Sequence, residues 1–244
     1  MQAIVLAAGY ATRLYPLTLD RPKHLLEVGG RPILELLLER LPLAELDAVY
    51  VVTNAKFADR FSEWARSYPV DVVVIDDGTT SEDDRLGAIG DLQLAIDSQG
   101  LDDDLIVAAG DSIFTERLDG FARFGQERGA AAIAVYDVGD LGAMKRLSSI
   151  GVDADSRLVS FEEKPDNPQS TLAGIALYFY PRAVLPLVGE YLTEGNNPDQ
   201  PGRLVGWLYR RTPVYAWRVP GRWFDIGTPE TLAEAAALFE SRSS

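Results

Sequence analysis

Ala3-Ile4-Val5-Leu6-Ala7-Ala8-Gly9-Tyr10-Ala11-Thr12-Arg13-Leu14, followed by Arg21-Pro22-Lys23, is the stretch whose reading decides the fold. Its first four residues are an apolar run of the kind that makes a buried parallel strand. Ala7, Ala8 and Gly9 come next, small enough for another molecule to lie directly on the backbone. Arg13, Arg21 and Lys23 then place three cations close together in an acidic chain. A strand that opens into a small-residue loop with backbone N–H groups and cations suits polyphosphate. A plain strand-to-helix turn with basic surface residues is the competing reading, and the spacing of Arg13, Pro22 and Lys23 weighs against it.

The same residues, with Leu25-Leu26 and Val28-Gly29-Gly30-Arg31-Pro32-Ile33, resemble the signature of the sugar-1-phosphate nucleotidyltransferases, also called nucleotide-sugar pyrophosphorylases. The family loop commonly reads Gly-x-Gly-Thr-Arg; here Ala11 takes the place of the second glycine. The resemblance implies that Leu6, Ala7, Ala8 and Gly9 lie against a nucleotide and that Arg13 and Lys23 grip its triphosphate. It covers nearly the whole chain and implies a short form, without the left-handed β-helix that some relatives append.

The chain has 244 residues, 47% of them apolar and 25% charged, an ordinary globular composition. Its net charge of −14 argues against nucleic acid or an anionic membrane as the main partner. A nucleotide would need a local cationic pocket in a negative surface. Cysteine is absent, which excludes disulfides and thiolate metal sites. With no long apolar run and no charged leader, a cytoplasmic protein is expected.

Strand and helix patterns alternate along the chain. They predict an α/β fold, a Rossmann-like three-layer sandwich with a mostly parallel central sheet. Pro32 suits a helix start, with Leu34, Leu37, Leu38 and Leu41 inward. Strands are expected at 48–53 and 70–75, with a helix striped by Phe57, Phe61, Trp64 and Tyr68 between them. The loop from Asp76 to Arg85 is wholly polar and leads to Leu86-Gly87-Ala88-Ile89-Gly90-Asp91-Leu92. Leu86, Ile89, Leu92 and Ile96 read as the core face of a helix. In the family such a Leu-Gly-x-x-Gly start lies beside the nucleobase, which Gly87 and Gly90 match. Asp77 and Glu82 are candidate base readers, since an acid accepts from amino groups.

Leu105 to Ala109 is a central strand that delivers Gly110-Asp111 at its carboxyl end, where open α/β sheets bind ligands. A helix with Leu118, Phe121 and Phe124 and a strand over 131–138 follow. The second half reads as a smaller β region: strands at 158–163, 174–180 and 214–217, and a turn-rich loop at 196–202. Glu162-Glu163-Lys164-Pro165 and the Gly174 strand resemble the family's sugar-phosphate region, which implies that Glu163 meets sugar hydroxyls, Lys164 the phosphate and Gly174 the substrate. Ser148 and Ala176 stand where relatives usually have glycine. Trp223-Phe224-Asp225-Ile226-Gly227-Thr228-Pro229 resembles the family's second metal-ligand motif, so Asp111 and Asp225 are the implied Mg²⁺ ligands. Thr228 and Pro229 would cap a final helix with Leu232, Ala236 and Phe239 inward. His24 reads as packing or surface.

The expected organisation is a single nucleotidyltransferase domain over 1–244. Residues 1–140 would serve mainly the nucleotide, 141–228 mainly the sugar phosphate, and 229–244 the C-terminal helix. The expected reaction joins an NTP, with dTTP or UTP favoured, to a sugar 1-phosphate and releases pyrophosphate. Cytidylyl transfer to a phospho-alcohol such as phosphocholine or an inositol phosphate is one alternative. A silent nucleotide-sugar-binding homologue is another. The oligomeric state is open.

Overall fold

A computed structural model describes residues 1–242. The nucleotide half begins with β1 (Gln2–Leu6), a two-residue ribbon of β2 (Glu27–Val28) and β3 (Arg31–Pro32), and α1 (Ile33–Leu38). It continues through β4 (Ala48–Thr53), α2 (Ala58–Ser67), β5 (Val72–Asp76), α3 (Ala88–Gln99) and β6 (Leu105–Ala109). Strands β5, β4, β1 and β6 lie side by side and all parallel, joined by helical crossovers.

Then come β7 (Ser112–Phe114), α4 (Asp119–Arg128), β8 (Ala131–Asp137), α5 (Leu141–Met144), β9 (Ser148–Val152), β10 (Leu158–Glu163) and β11 (Leu172–Tyr180). The chain closes with α6 (Leu185–Thr193), α7 (Gly202–Leu208), β12 (Val214–Arg218), β13 (Trp223–Asp225) and α8 (Pro229–Arg242). Strand β11 runs antiparallel to β6 and joins the parallel half to β8 and β9. Beyond it, β10 pairs with β9, and β12 runs parallel to β8.

Side-chain alternation along β1 shows why the sheet is covered on both faces. Ile4 and Leu6 pack with Ile89, Leu92 and Ile96 of α3 and with Val188 and Tyr191 of α6. Ala3, Val5 and Ala7 pack with Leu34, Leu37 and Leu38 of α1, Phe61 of α2 and Phe121 of α4. Three layers result. A third cluster of Leu14, Val28, Ile33, Ile113, Phe224 and Ile226 lies beneath the loop after β1 and fastens α8 through Ala235.

Three expectations shift. Leu86 is exposed, because the helix starts at Ala88 and Gly87 turns the chain at φ +80°. In α8 it is Ala235 that is buried, with Leu232 and Phe239 partly covered. Strands β7 and β9 are short pieces that hydrophobic periodicity does not announce.

Candidate functional site

Leu6 ends β1 at the mouth of a cavity of about 680 Å³. The loop after it is held from below: Asn54 Nδ2 donates to the Ala8 carbonyl at 2.7 Å, and Gly110 N donates to Leu6 O. Ala11 sits in the left-handed region at φ 50°, costly for a residue with a Cβ. Thr18 Oγ1 pins its carbonyl at 2.9 Å. A short 3₁₀ turn, Thr12–Leu14, then buries Leu14 and leaves Arg13 exposed beside the cavity. A second turn, Lys23–Leu25, follows Pro22 and brings Lys23 to the same wall.

Asp111 and Asp225, far apart in sequence, meet through a two-stranded ribbon. Strand β7 begins just after Asp111, and β13 ends at Asp225, with Ser112 opposite Asp225 in the antiparallel register. Ile226 N donates to Asp111 O at 3.0 Å, which locks the two carboxylates at one end of the ribbon. Lys23 Nζ donates to Asp111 Oδ2 at 2.5 Å. Burial opposes ionisation of Asp111 most strongly, but the Lys23 charge and hydrogen bond, with a backbone N–H, together hold the carboxyl below its usual range. Asp225 is exposed to the cavity, whose surrounding protein still removes part of its hydration. That desolvation, with the Asp111 charge, pushes it up to about 6 against the pull of Lys23 and Arg13.

His24 is fully buried against Phe61, and burial drives its pKa down to about 3. It is neutral packing, as expected.

On the base side, Gly87 lines the cavity together with Arg85, Ala88 and Asp91. A Cβ on Gly87 would stand 2.7 Å from the Pro198 carbonyl oxygen. That carbonyl accepts from Ile89 N at 2.9 Å, so the 196–202 loop satisfies a free N–H at the start of α3. Glu82 is exposed and pairs with Arg85 outside the cavity wall. Asp77 does not line the cavity either, but it shares a hydrogen bond with Asp91, which does. Burial and the Asp77 charge push Asp91 up to about 8.

Ser148, Glu163, Lys164, Gly174, Ala176 and Gly202, from the second half of the chain, line the same cavity, as does Trp223 on the Asp225 ribbon. Ser148 faces Glu163 across β9 and β10 and donates a short hydrogen bond to its Oε2. Lys164 takes the left-handed φ of 49°, and its N–H donates to Leu147 O. A strained non-glycine residue here is held by its surroundings.

The structure thus brings Leu6, Ala8, Gly9, Arg13, Lys23, Gly87, Asp111, Glu163, Lys164, Gly174 and Asp225 around one cavity. Ala7 points into the core instead. Lys145, Arg146, Arg85, Asp91 and Gln200 also line it and were not singled out from the sequence. The Lys145-Arg146 pair just before Ser148 was a readable signal; Asp91 was readable only as an acid interrupting the apolar helix start.

Residues 2–242 match the family model described as nucleotidyl transferase. The chain is 26% identical over 238 residues to the bifunctional protein GlmU of Methanocaldococcus jannaschii, covering 96% of this chain and 53% of that protein. It is 29% identical over 241 residues to the UTP–glucose-1-phosphate uridylyltransferase AglF of Haloferax volcanii, covering 96% of this chain and 95% of the relative. Among solved structures, a UDP-glucose pyrophosphorylase complexed with UDP-glucose superposes with a TM-score of 0.84 at 18% identity, over 99% of this chain and 98% of that one. That likeness shows the fold. No helix among the described residues is long and apolar enough to cross a membrane. With a family match across nearly its whole length and the matching three-layer fold, the chain belongs to the nucleotidyl transferase family.

Proposed function

We propose that this protein transfers a nucleotidyl group from an NTP, UTP or dTTP, to a sugar 1-phosphate, giving an NDP-sugar and pyrophosphate. The observation that carries the reading is the shared cavity. Arg13 and Lys23 follow β1, Lys145, Arg146 and Lys164 come from the second half of the chain, and Asp111 and Asp225 open into the same space. Relatives named as glucose-1-phosphate uridylyltransferase and thymidylyltransferase support the substrate class. In this reading 1–140 serves the nucleotide, 141–228 the acceptor, and α8 closes the chain.

The acceptor phosphate is mostly dianionic at neutral pH, its second pKa being about 6, so attack on the α-phosphorus needs no general base. That fits a site whose histidine is neutral and buried. The acceptor oxygen bonds to the α-phosphorus while the bond to the bridging oxygen breaks, and pyrophosphate leaves with that electron pair. Lys164 seats the acceptor phosphate, and Arg13 and Lys23 stabilise the departing pyrophosphate.

Asp111 and Asp225 fit a hard divalent cation. Their oxygens suit Mg²⁺, and Asp225 feels the Asp111 charge, which a cation would relieve. No group of three or more His, Cys, Asp or Glu that could hold a metal occurs among the described residues. Phosphate oxygens and water would complete the shell. When bound, Mg²⁺ would offset phosphate charge during transfer.

Pyrophosphate release should be measured for five NTPs against a set of sugar 1-phosphates and phosphocholine. Release with a sugar 1-phosphate supports the reading. No release with any pair refutes it, and release with phosphocholine alone replaces it with cytidylyl-type transfer to a phospho-alcohol.

A further inference from the structure

Asp91 has no task in the chemistry above. It lies one turn beyond Gly87 on α3 and lines the cavity beside Gly87 and Ala88. The side chain is 5% exposed, and no N–H or O–H donor reaches its Oδ1 among the described residues. Its partner is another carboxyl, Asp77. Two carboxyls share a hydrogen bond only with a proton between them. Asp77 Oδ1 already accepts from Thr79 N and Thr79 Oγ1, both at 2.7 Å, and the Tyr10 hydroxyl stands 3.3 Å from that Thr79 oxygen. Burial raises both carboxyls, but the Thr79 donors pull Asp77 back toward its ionised form and nothing does so for Asp91. The proton therefore belongs to Asp91 and points at Asp77. The rest of the Asp91 carboxyl is left with only acceptor capacity.

We propose that Asp91, oriented by Asp77, reads the nucleobase by accepting a hydrogen bond from an N–H on the base edge. The proposal rests on the reading of the cavity as a nucleotide site. One acceptor matches the single imino N–H of uracil or thymine. Guanine would bring two neighbouring donors and leave one unmet, which a site of this kind rejects.

Equilibrium binding of UTP, dTTP, CTP, GTP and ATP to the full chain, without acceptor, tests this for wild type, Asp91→Asn and Asp91→Leu. Asparagine keeps an acceptor and can still donate to Asp77, but it cannot ionise. Wild type is expected to prefer a uracil or thymine nucleotide, and Asp91→Asn to keep that preference. Asp91→Leu is expected to weaken the preferred nucleotide at least about tenfold while still binding inorganic triphosphate. Above about pH 8 ionised Asp91 no longer donates to Asp77 and the two charges push it out of position, so wild type should lose its preference and Asp91→Asn should not. Asp77 is the charged group acting on Asp91, Asp76 acts on Asp77, and Arg85 and Asp199 face the cavity as an ion pair at 3.4 Å. An unchanged preference in folded Asp91→Leu, no base preference in wild type, or a preference for GTP overturns the proposal. If the leucine variant does not fold, a shared alkaline loss in wild type and Asp91→Asn overturns it. Wild type that binds no NTP and no triphosphate refutes the nucleotide reading itself; wild type that binds all NTPs equally refutes only the role of Asp91.

Discussion

Lys23 Nζ lies 2.5 Å from Asp111 Oδ2, across a sequence separation of 88 residues. One side chain is carried by the turn after the first strand, the other by the end of the central strand β6. The same ammonium also lowers the pKa of Asp225, and Arg13 adds to it. The cationic loop and the acidic pair are therefore one electrostatic unit. Lys23→Met is expected to lower turnover on the best substrate pair at least about a hundredfold, the size seen on removing a preorganised charge stabiliser. In the metal-free protein it should also raise the titration of both carboxyls, readable by NMR. Near-native turnover would refute the role given to Lys23.

Asp225 makes a claim about stability as well as about chemistry. Its carboxyl is raised from an ordinary 3.8 to about 6 in the folded chain. The native state thus holds the proton more tightly than the unfolded state, and stability falls as pH rises through that interval. Asp225→Asn removes the loss. In chelator the variant should melt at or above the wild-type temperature near neutral pH, and the difference should vanish near pH 4. Mg²⁺-dependent turnover should be abolished all the same. A variant that melts lower than wild type at neutral pH but not at pH 4 would contradict the sign.

Gly87 predicts a coupling between the two substrates. Its φ of +80° with ψ 158° is a region open almost only to glycine, and a Cβ would meet the Pro198 carbonyl at 2.7 Å. Gly87→Ala is expected to cost about 1–3 kcal/mol of stability from backbone strain. It should also push the 196–202 loop away from α3. Because Gln200 and Gly202 of that loop line the same cavity, Gly202 beside Glu163, KM should rise for both substrates. A rise confined to the nucleotide, at unchanged melting temperature, would show that the loop does not link them.

Much of this was legible in the chain, and the reasons differ by residue. Arg13 and Lys23 stood out because cations cluster after an apolar strand in an acidic sequence. Asp111 stood out because it ends a central strand. Asp225 was readable as its partner only through resemblance to a family motif. The ribbon that joins them, β7 with β13, is three residues long on each side and leaves no periodic trace. Asp91 was hidden for another reason: its significance comes from Asp77, which sits past the end of a different strand. Leu86 misled because a helix-spaced apolar residue preceded a glycine with positive φ, and that φ, not periodicity, set the helix start.

Which acceptor the site takes is expected to turn on Glu163 and Ser148. The Ser148 hydroxyl donates to Glu163 Oε2 and occupies one of its lone pairs. Gly202 packs close to both, and a Cβ there would lie 3.0 Å from Glu163 and 3.1 Å from Ser148. The carboxylate is thus held in place with acceptor capacity left for a ring hydroxyl. Phosphocholine has no hydroxyl to give, and its quaternary ammonium would favour an aromatic cage. Lys164→Met should weaken any phosphate acceptor, whatever it is esterified to. Glu163→Gln should cost about 1–3 kcal/mol only where a sugar hydroxyl is donated to a charged partner. Ser148→Ala leaves that charge intact and should loosen the position of Glu163, raising KM for the sugar more than it lowers kcat. The measurement is kcat/KM for the three variants with the best sugar 1-phosphate and each of its deoxy analogues. If Glu163→Gln leaves discrimination unchanged at every ring position, Glu163 does not read the sugar, and the acceptor is held by its phosphate on Lys164.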